Sequence, residues 1–154
     1  MDAVFVMEEK VFNYRVAGVW IEHDHVLLHR RKDDTYWALP GGRVKLLEDS
    51  KTSLIREMKE ELGQDVNVEN LLWITENFFD YDECKFHEIG FYFRISGRES
   101  SSFQEKEFHG PEGERLIYKW VPLSELERMD VQPIFLAAGL QKTPDHPEHI
   151  IVRN

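Results

Sequence analysis

Gly42-Arg-Val-Lys-Leu-Leu-Glu48, followed after seven residues by Arg56-Glu-Met-Lys-Glu-Glu-Leu-Gly-Gln64, gathers four glutamates and an arginine around one short helix. Asp49 or Ser50 can cap its start, Leu54, Ile55, Met58 and Leu62 recur at helical spacing, and Gly63 suits a left-handed residue just past its end. At about 100° per residue, Glu57, Glu60 and Glu61 fall on one side of this helix and Leu54, Met58 and Leu62 on another. One face therefore belongs to a core, and the other is a patch of negative charge. Glu57 and Glu61 stand at i,i+4, where like charges cost roughly 0.2–0.5 kcal/mol, and Arg56 and Lys59 offset only part of that. Something outside the helix should neutralise the patch.

A hard divalent cation is suited to the task. Mg²⁺ prefers oxygen ligands and is usually held by one or two carboxylates together with substrate phosphates. The Gly41-Gly42 pair just upstream lets backbone approach the same ion and offer it a carbonyl oxygen. A glutamate-rich helix taken alone is more often a solvated amphipathic face, so it is the spacing that decides.

That spacing resembles the signature of the Nudix hydrolase family, G-x5-E-x7-R-E-U-x-E-E-x-G-U with U apolar. All seven fixed letters are present, as Gly42, Glu48, Arg56, Glu57, Glu60, Glu61 and Gly63. Seven such coincidences at a given start have a chance on the order of 10⁻⁹ at average residue frequencies. Met58 fills the first U, whereas Gln64 replaces the apolar residue at the last, a packing position that touches no ligand. The signature covers 23 residues; elsewhere the resemblance is looser, in a strand leading to Trp37-Ala-Leu-Pro-Gly-Gly42 and an aromatic strand ending before Val121-Pro-Leu123.

The resemblance implies an α/β fold, an α/β/α sandwich with a mixed β-sheet. It also implies hydrolysis of a phosphoanhydride bond in a nucleoside diphosphate linked to another moiety X, with Mg²⁺ as cofactor and Mn²⁺ as the alternative. Glu57, Glu60 and Glu61 would be metal ligands, with one of them or a later glutamate as general base. Arg56 would orient the carboxylates, Glu48 would complete the network, and Gly41 would lend its carbonyl. Glu105, Glu107, Glu112 and Glu114 all lie in a later loop, and Glu114, just before the closing strand, is favoured as the late carboxylate. In the family a basic residue at the end of the second strand reaches substrate phosphates, which points to Arg30 or Arg31; Arg43, directly after the glycine pair, is similarly placed.

Substrate identity is less sharply written. ADP-ribose enzymes of the family carry a proline about where Asp80 stands here, 16 residues past Gln64. Tyr81 is similar in position to a tyrosine of dinucleoside polyphosphate enzymes, and Phe78, Phe79 and Tyr81 offer stacking surfaces for a base. Trp37 is read as a packing residue before a stacking one, and stays among the substrate-binding candidates. A catalytically silent Nudix-fold domain that binds a nucleotide and regulates a partner is the alternative function. Such domains typically lose signature glutamates, and this chain keeps them.

At 154 residues the chain reads as one domain spanning 1–154. Its net charge of −10 argues against sequence-independent binding to nucleic acid or anionic membrane. An acidic protein acting on small anionic nucleotides then needs local cations. The single Cys84 excludes an internal disulfide and suits a reducing compartment. No signal-like N-terminus or membrane-length apolar run is present, so the expectation is a cytoplasmic protein; a homodimer is left open.

Along the chain, Phe12–Ile21 reads as a strand whose apolar run Val16–Ile21 is buried on both faces. His23-Asp-His25 turns into a second strand at Val26–Leu28, and the two histidines are read as exposed turn residues before metal ligands. Val66 and Val68 suggest a short strand and Leu71–Phe79 a longer one, paired antiparallel with Lys85–Ile95. In that last segment His87, Ile89, Phe91, Phe93 and Ile95 alternate with Glu88, Tyr92 and Arg94. Residues 96–114 show no periodicity, Leu116–Val121 is a closing strand, and Leu123–Met129 and Gln132–Leu140 read as helices, with Pro133 at a helix start. The tail to His149 is expected to be a loop, with an edge strand at Ile150–Val152.

Overall fold

The computed structural model describes residues 1–99 and 102–153. Nine strands form one mixed sheet: β1 (Val4–Met7), β2 (Lys10–Glu22), β3 (His25–Arg31), β4 (Gly41–Arg43), β5 (Val66–Tyr81), β6 (Cys84–Gly97), β7 (Phe108–Gly110), β8 (Gly113–Pro122) and β9 (Glu148–Arg153). The order is β7-β8-β3-β2-β6-β5-β9, with β1 and β4 both added to β2. β2–β6 and β5–β9 are parallel, and the other pairs are antiparallel.

The apolar run in β2 explains the layering. Val16 and Trp20 pack with Leu54, Met58 and Leu62 of the signature helix, while Ala17 and Val19 pack with Leu126, Leu136 and Leu140 of the C-terminal segments. Alternate residues of one strand thus feed two cores, one per face. This is the α/β architecture the sequence implied.

β2 and β3 pair only at Ile21–Val26 and Glu22–His25, and then part. The chain after Trp37 runs into the gap. Ala38 exchanges backbone hydrogen bonds with His29 of β3, Pro40 accepts from Gly18, and Gly41–Arg43 pair with Ala17–Arg15 of β2. The splay of the two strands therefore makes a wedge, and residues 38–43 line it just before the signature helix begins.

Several expectations are corrected. Val66–Tyr81 is one long strand rather than two, because register shifts between Val68 and Trp73 absorb the irregular stretch. The segment after Gly97 is not featureless: Phe108–Gly110 pairs with β8. Leu123–Arg128 is a 3₁₀ helix, and of Gln132–Leu140 only Leu136–Gly139 is α-helical (α2), so Pro133 precedes the helix instead of opening it. The final strand begins at Glu148, ahead of the expected Ile150, and lies parallel to β5. Ile55, assigned to the apolar stripe, is 36% exposed. In the alternating strand Lys85–Ile95, Glu88 is buried and His87 exposed.

Candidate active site

The signature helix has two parts. The first, α1 (Ser50–Glu57), is capped by Asp49, whose carboxylate accepts from the Thr52 N–H at 2.9 Å. Met58–Leu62 continues it as a π-helical turn, a wider winding often found at functional sites. Gly63 closes it at φ 73°, its N–H reaching the carbonyls of Lys59 and Met58.

Arg56 is the hub of the charged face. It meets Glu48 Oε1 at 3.0 Å, Glu57 Oε1 at 2.9 Å and Glu60 Oε2 at 3.2 Å. Ser53 also donates to Glu48, and the bonds from Arg56 and Ser53 hold the Glu48 carboxyl below its usual pKa. Glu57 behaves oppositely: burial outweighs its bond from Arg56 and raises its pKa. Burial, and then the charge of Glu57, push Glu61 up to about 7. Glu61 Oε2 is buried without a hydrogen-bond partner, and its Oε1 faces Arg115 Nη2 at 3.8 Å.

Glu57, Glu61 and Arg115 border a cavity of about 650 Å³ in the wedge between β2 and β3. Of the residues expected at the site, Gly41, Arg43, Glu57 and Glu61 line it on the helix side, Arg30 and Arg31 on the β3 side, and Phe79 and Tyr81 at the far rim. Glu48, Arg56 and Glu60 are not among its lining residues, and Glu60 is exposed and tied to Arg56. Glu114 is exposed and borders a smaller recess with Arg31, Asp34 and Tyr81. The late-loop carboxylate linked to the helix is Glu112, through Arg115 at 3.4 Å. Trp37 packs on the C-terminal core with the Arg30 guanidinium 5.3 Å above its ring. The Tyr81 hydroxyl donates to the Asp34 carboxylate at 3.2 Å, joining the β5–β6 tip to the loop after β3.

Sequence reading missed Arg15, Arg115 and His29, which also line the cavity. Arg15 sits in mid-strand and donates to the Leu39 carbonyl at 3.0 Å. Only its place directly before the apolar run of β2 gave a signal. Burial, followed by the charges of Arg15, Arg115 and Arg31, lowers the His29 pKa to about 3, so its ring is neutral at physiological pH.

The donor chemistry fits a hard cation at Glu57 and Glu61. Two desolvated carboxylates stand at one wall, and one of their oxygens is unpartnered and buried. Gly42 adjoins them, since a Cβ there would lie 2.5 Å from the Glu57 carboxyl carbon. Among the described residues no three His, Cys, Asp or Glu side chains form a metal-binding group by themselves. The reason is visible in the network, where Glu57 and Glu60 both turn toward Arg56.

The chain is similar to known proteins in sequence and in fold. A MutT-like protein of Streptomyces ambofaciens is 43% identical over 63 residues, 40% of this chain and 41% of its own, so the chain spans less than half the length of that relative. An 8-oxo-dGTP diphosphatase of Buchnera aphidicola is 27% identical over 116 residues, 73% of this chain and 78% of its own. A MutT protein structure from Bacillus halodurans superposes with a TM-score of 0.60 at 19% identity, covering 89% of both chains. The NUDIX domain family matches residues 13–138, from the β2 strand that floors the cavity to the helix that closes the second core, and with the complete glutamate signature between them the chain belongs to the Nudix family.

Proposed function

We propose that the protein is a metal-dependent hydrolase that cleaves the pyrophosphate linkage of a nucleoside diphosphate derivative. The observation that carries this reading is the buried Glu57–Glu61 pair, with its unpartnered Glu61 Oε2, at the wall of an arginine-lined cavity. Glu57 and Glu61, with the Gly41 carbonyl, would hold Mg²⁺ or Mn²⁺, and Glu60 would join them on release from Arg56. When bound, the cation supplies positive charge against the phosphate oxygens and Lewis acidity at the attacked phosphorus.

The chain's own residues do the remaining work. Arg56, anchored by Glu48, aims Glu57 and Glu60. Arg15, Arg30, Arg31, Arg43 and Arg115 surround the space for a polyphosphate and offset a net charge of −10 that would otherwise repel it. Phe79 and Tyr81 offer aromatic surface to the base. Residues 1–154 act as a single domain, the substrate is a small nucleotide rather than a nucleic acid, and the compartment is the cytoplasm; no helix of the described residues is long and apolar enough to cross a membrane.

A screen of nucleoside triphosphates and nucleoside diphosphate derivatives with and without Mg²⁺ or Mn²⁺, in which coupled pyrophosphatase (for the triphosphates) or phosphatase (for the diphosphate derivatives) converts the products to phosphate, tests the proposal. Metal-dependent release is expected. Full turnover in excess chelator overturns the metal assignment, and nucleotide binding without release from any of them supports the silent-domain alternative instead.

A further inference from the structure

Strands β2, β6 and β5 lie side by side in the cavity floor, and their register sets Asn13 opposite Glu88 and Glu88 opposite Asn77. All three line the cavity and are only 3%, 7% and 6% exposed. A buried amide–carboxylate–amide row in mid-sheet is costly unless its atoms are bonded. The row is joined by a bond from Asn13 Nδ2 to Glu88 Oε2 at 2.9 Å, while Asn13 Oδ1 and Asn77 Oδ1 are buried with no hydrogen-bond partner among the described residues. Because a carboxylate only accepts, it fixes the Asn13 amide with nitrogen toward Glu88 and leaves Oδ1 as an acceptor. Two residues toward the hairpin tip, on the same face, Phe79 and Phe86 stack at 5.0 Å with planes 9° apart; two residues the other way stands Arg15.

We infer that this row is the base-selecting floor of the site and that it takes a guanine-type base. Glu88 and Asn13 Oδ1 are adjacent acceptors, one charged and one neutral, and they call for two adjacent donors. Guanine presents N1–H beside its N2 amine. Adenine and cytosine set one donor beside a ring-nitrogen acceptor, and uracil sets one donor between two carbonyls, so each would turn a lone pair toward Glu88 or Asn13. The Asn77 amide, turned about its last bond, donates to guanine O6. The Phe79–Phe86 pair beside the row supplies apolar surface for the ring.

The inference rests on the nucleotide reading above, but its test does not require hydrolysis. GMP, IMP, AMP and dGMP contain no anhydride bond, and their affinities can be measured by calorimetry on the full chain. GMP should bind roughly 10- to 100-fold tighter than IMP, which lacks only the N2 amine, because a donor to a charged acceptor is lost. AMP should bind no more tightly than IMP, and dGMP should follow GMP. Glu88→Gln should abolish the GMP preference by weakening GMP while AMP binds as well as before or better, because the adenine ring nitrogen no longer faces a carboxylate. Equal affinities for GMP and IMP, or no GMP binding at millimolar concentration, overturn the inference. So does a large gap between GMP and dGMP without one between GMP and IMP, which would assign the row to the ribose diol. If Glu88→Gln does not fold, the comparison of nucleotides on the unaltered protein still decides. The screen above, followed in parallel, keeps the two proposals apart: base preference without product release from any substrate of the screen overturns hydrolysis alone, and release without base preference overturns this inference alone.

Discussion

Glu61 is held at about 7 by burial and by Glu57, against an ordinary 4.5 in the unfolded chain. Between these values the metal-free folded protein keeps a proton that the unfolded chain has released. The stability this residue contributes is therefore full below about pH 4.5 and lost as pH rises through about 7. Glu61→Gln removes that slope while preserving shape. In chelator the variant should melt as high as the unaltered protein or higher near neutral pH, gain less on addition of Mg²⁺, and lose most of its kcat. Thermal melts across this pH range, with turnover on any active substrate, check all three. A variant that melts markedly lower without metal yet keeps its activity would make Glu61 a structural residue. Arg56→Lys keeps a charge but loses the planar fork that reaches Glu48, Glu57 and Glu60 together. It should cost about 1–3 kcal/mol in urea unfolding and lower kcat at least roughly tenfold, because Glu57 is no longer aimed. Unchanged kcat would show that the network holds the fold only.

At the scale of elements, two adjacent glycines differ in what surrounds them. A Cβ on Gly41 would lie 2.0 Å from the Val16 carbonyl oxygen, so it could be accommodated only by separating β4 from β2. A Cβ on Gly42 would meet the mobile end of Glu57 at 2.5 Å. Gly41→Ala should therefore abolish soluble protein or lower its melting temperature steeply, whereas Gly42→Ala should fold and fail to gain stability from Mg²⁺. Melts of both variants with and without Mg²⁺ separate the two effects. The signature made the helix and the left-handed Gly63 legible in the sequence and narrowed the cap to Asp49 or Ser50, of which Asp49 is the one used, because local hydrogen bonding and sterics govern them. It also suggested that the glycine pair serves an approaching ion. For Gly41 the structure gives another reason, contact with a neighbouring strand, which no local pattern encodes. The same holds for Glu88. As one polar residue in an alternating strand it reads as solvent-facing, and only its register with Asn13 and Asn77 shows that the polar row lies inside.

Across the whole molecule, the sequence conveyed the sheet and its two-sided burial through the apolar run of β2, and most of the helix-side wall through the signature. Arg15, Arg115 and Asn13 stayed hidden because the cavity forms where β2 and β3 part, and strand divergence leaves no mark on periodicity. The C-terminal helices were overextended in the reading because Leu126, Leu136 and Leu140 fill the second core with short helical turns rather than long ones. The placing of the four tryptophans has an optical consequence. Trp20, Trp73 and Trp120 are buried in the two cores, while Trp37 is half-buried beneath Arg30, a residue of the cavity wall. A nucleotide that draws the Arg30 guanidinium onto its phosphates would lift a cation from the Trp37 ring and leave the other three indoles undisturbed. Intrinsic fluorescence should then report ligand binding through one residue: titration with a polyphosphate nucleotide should shift the long-wavelength part of the emission, and Trp37→Phe should silence the response while the blue emission of the cores remains.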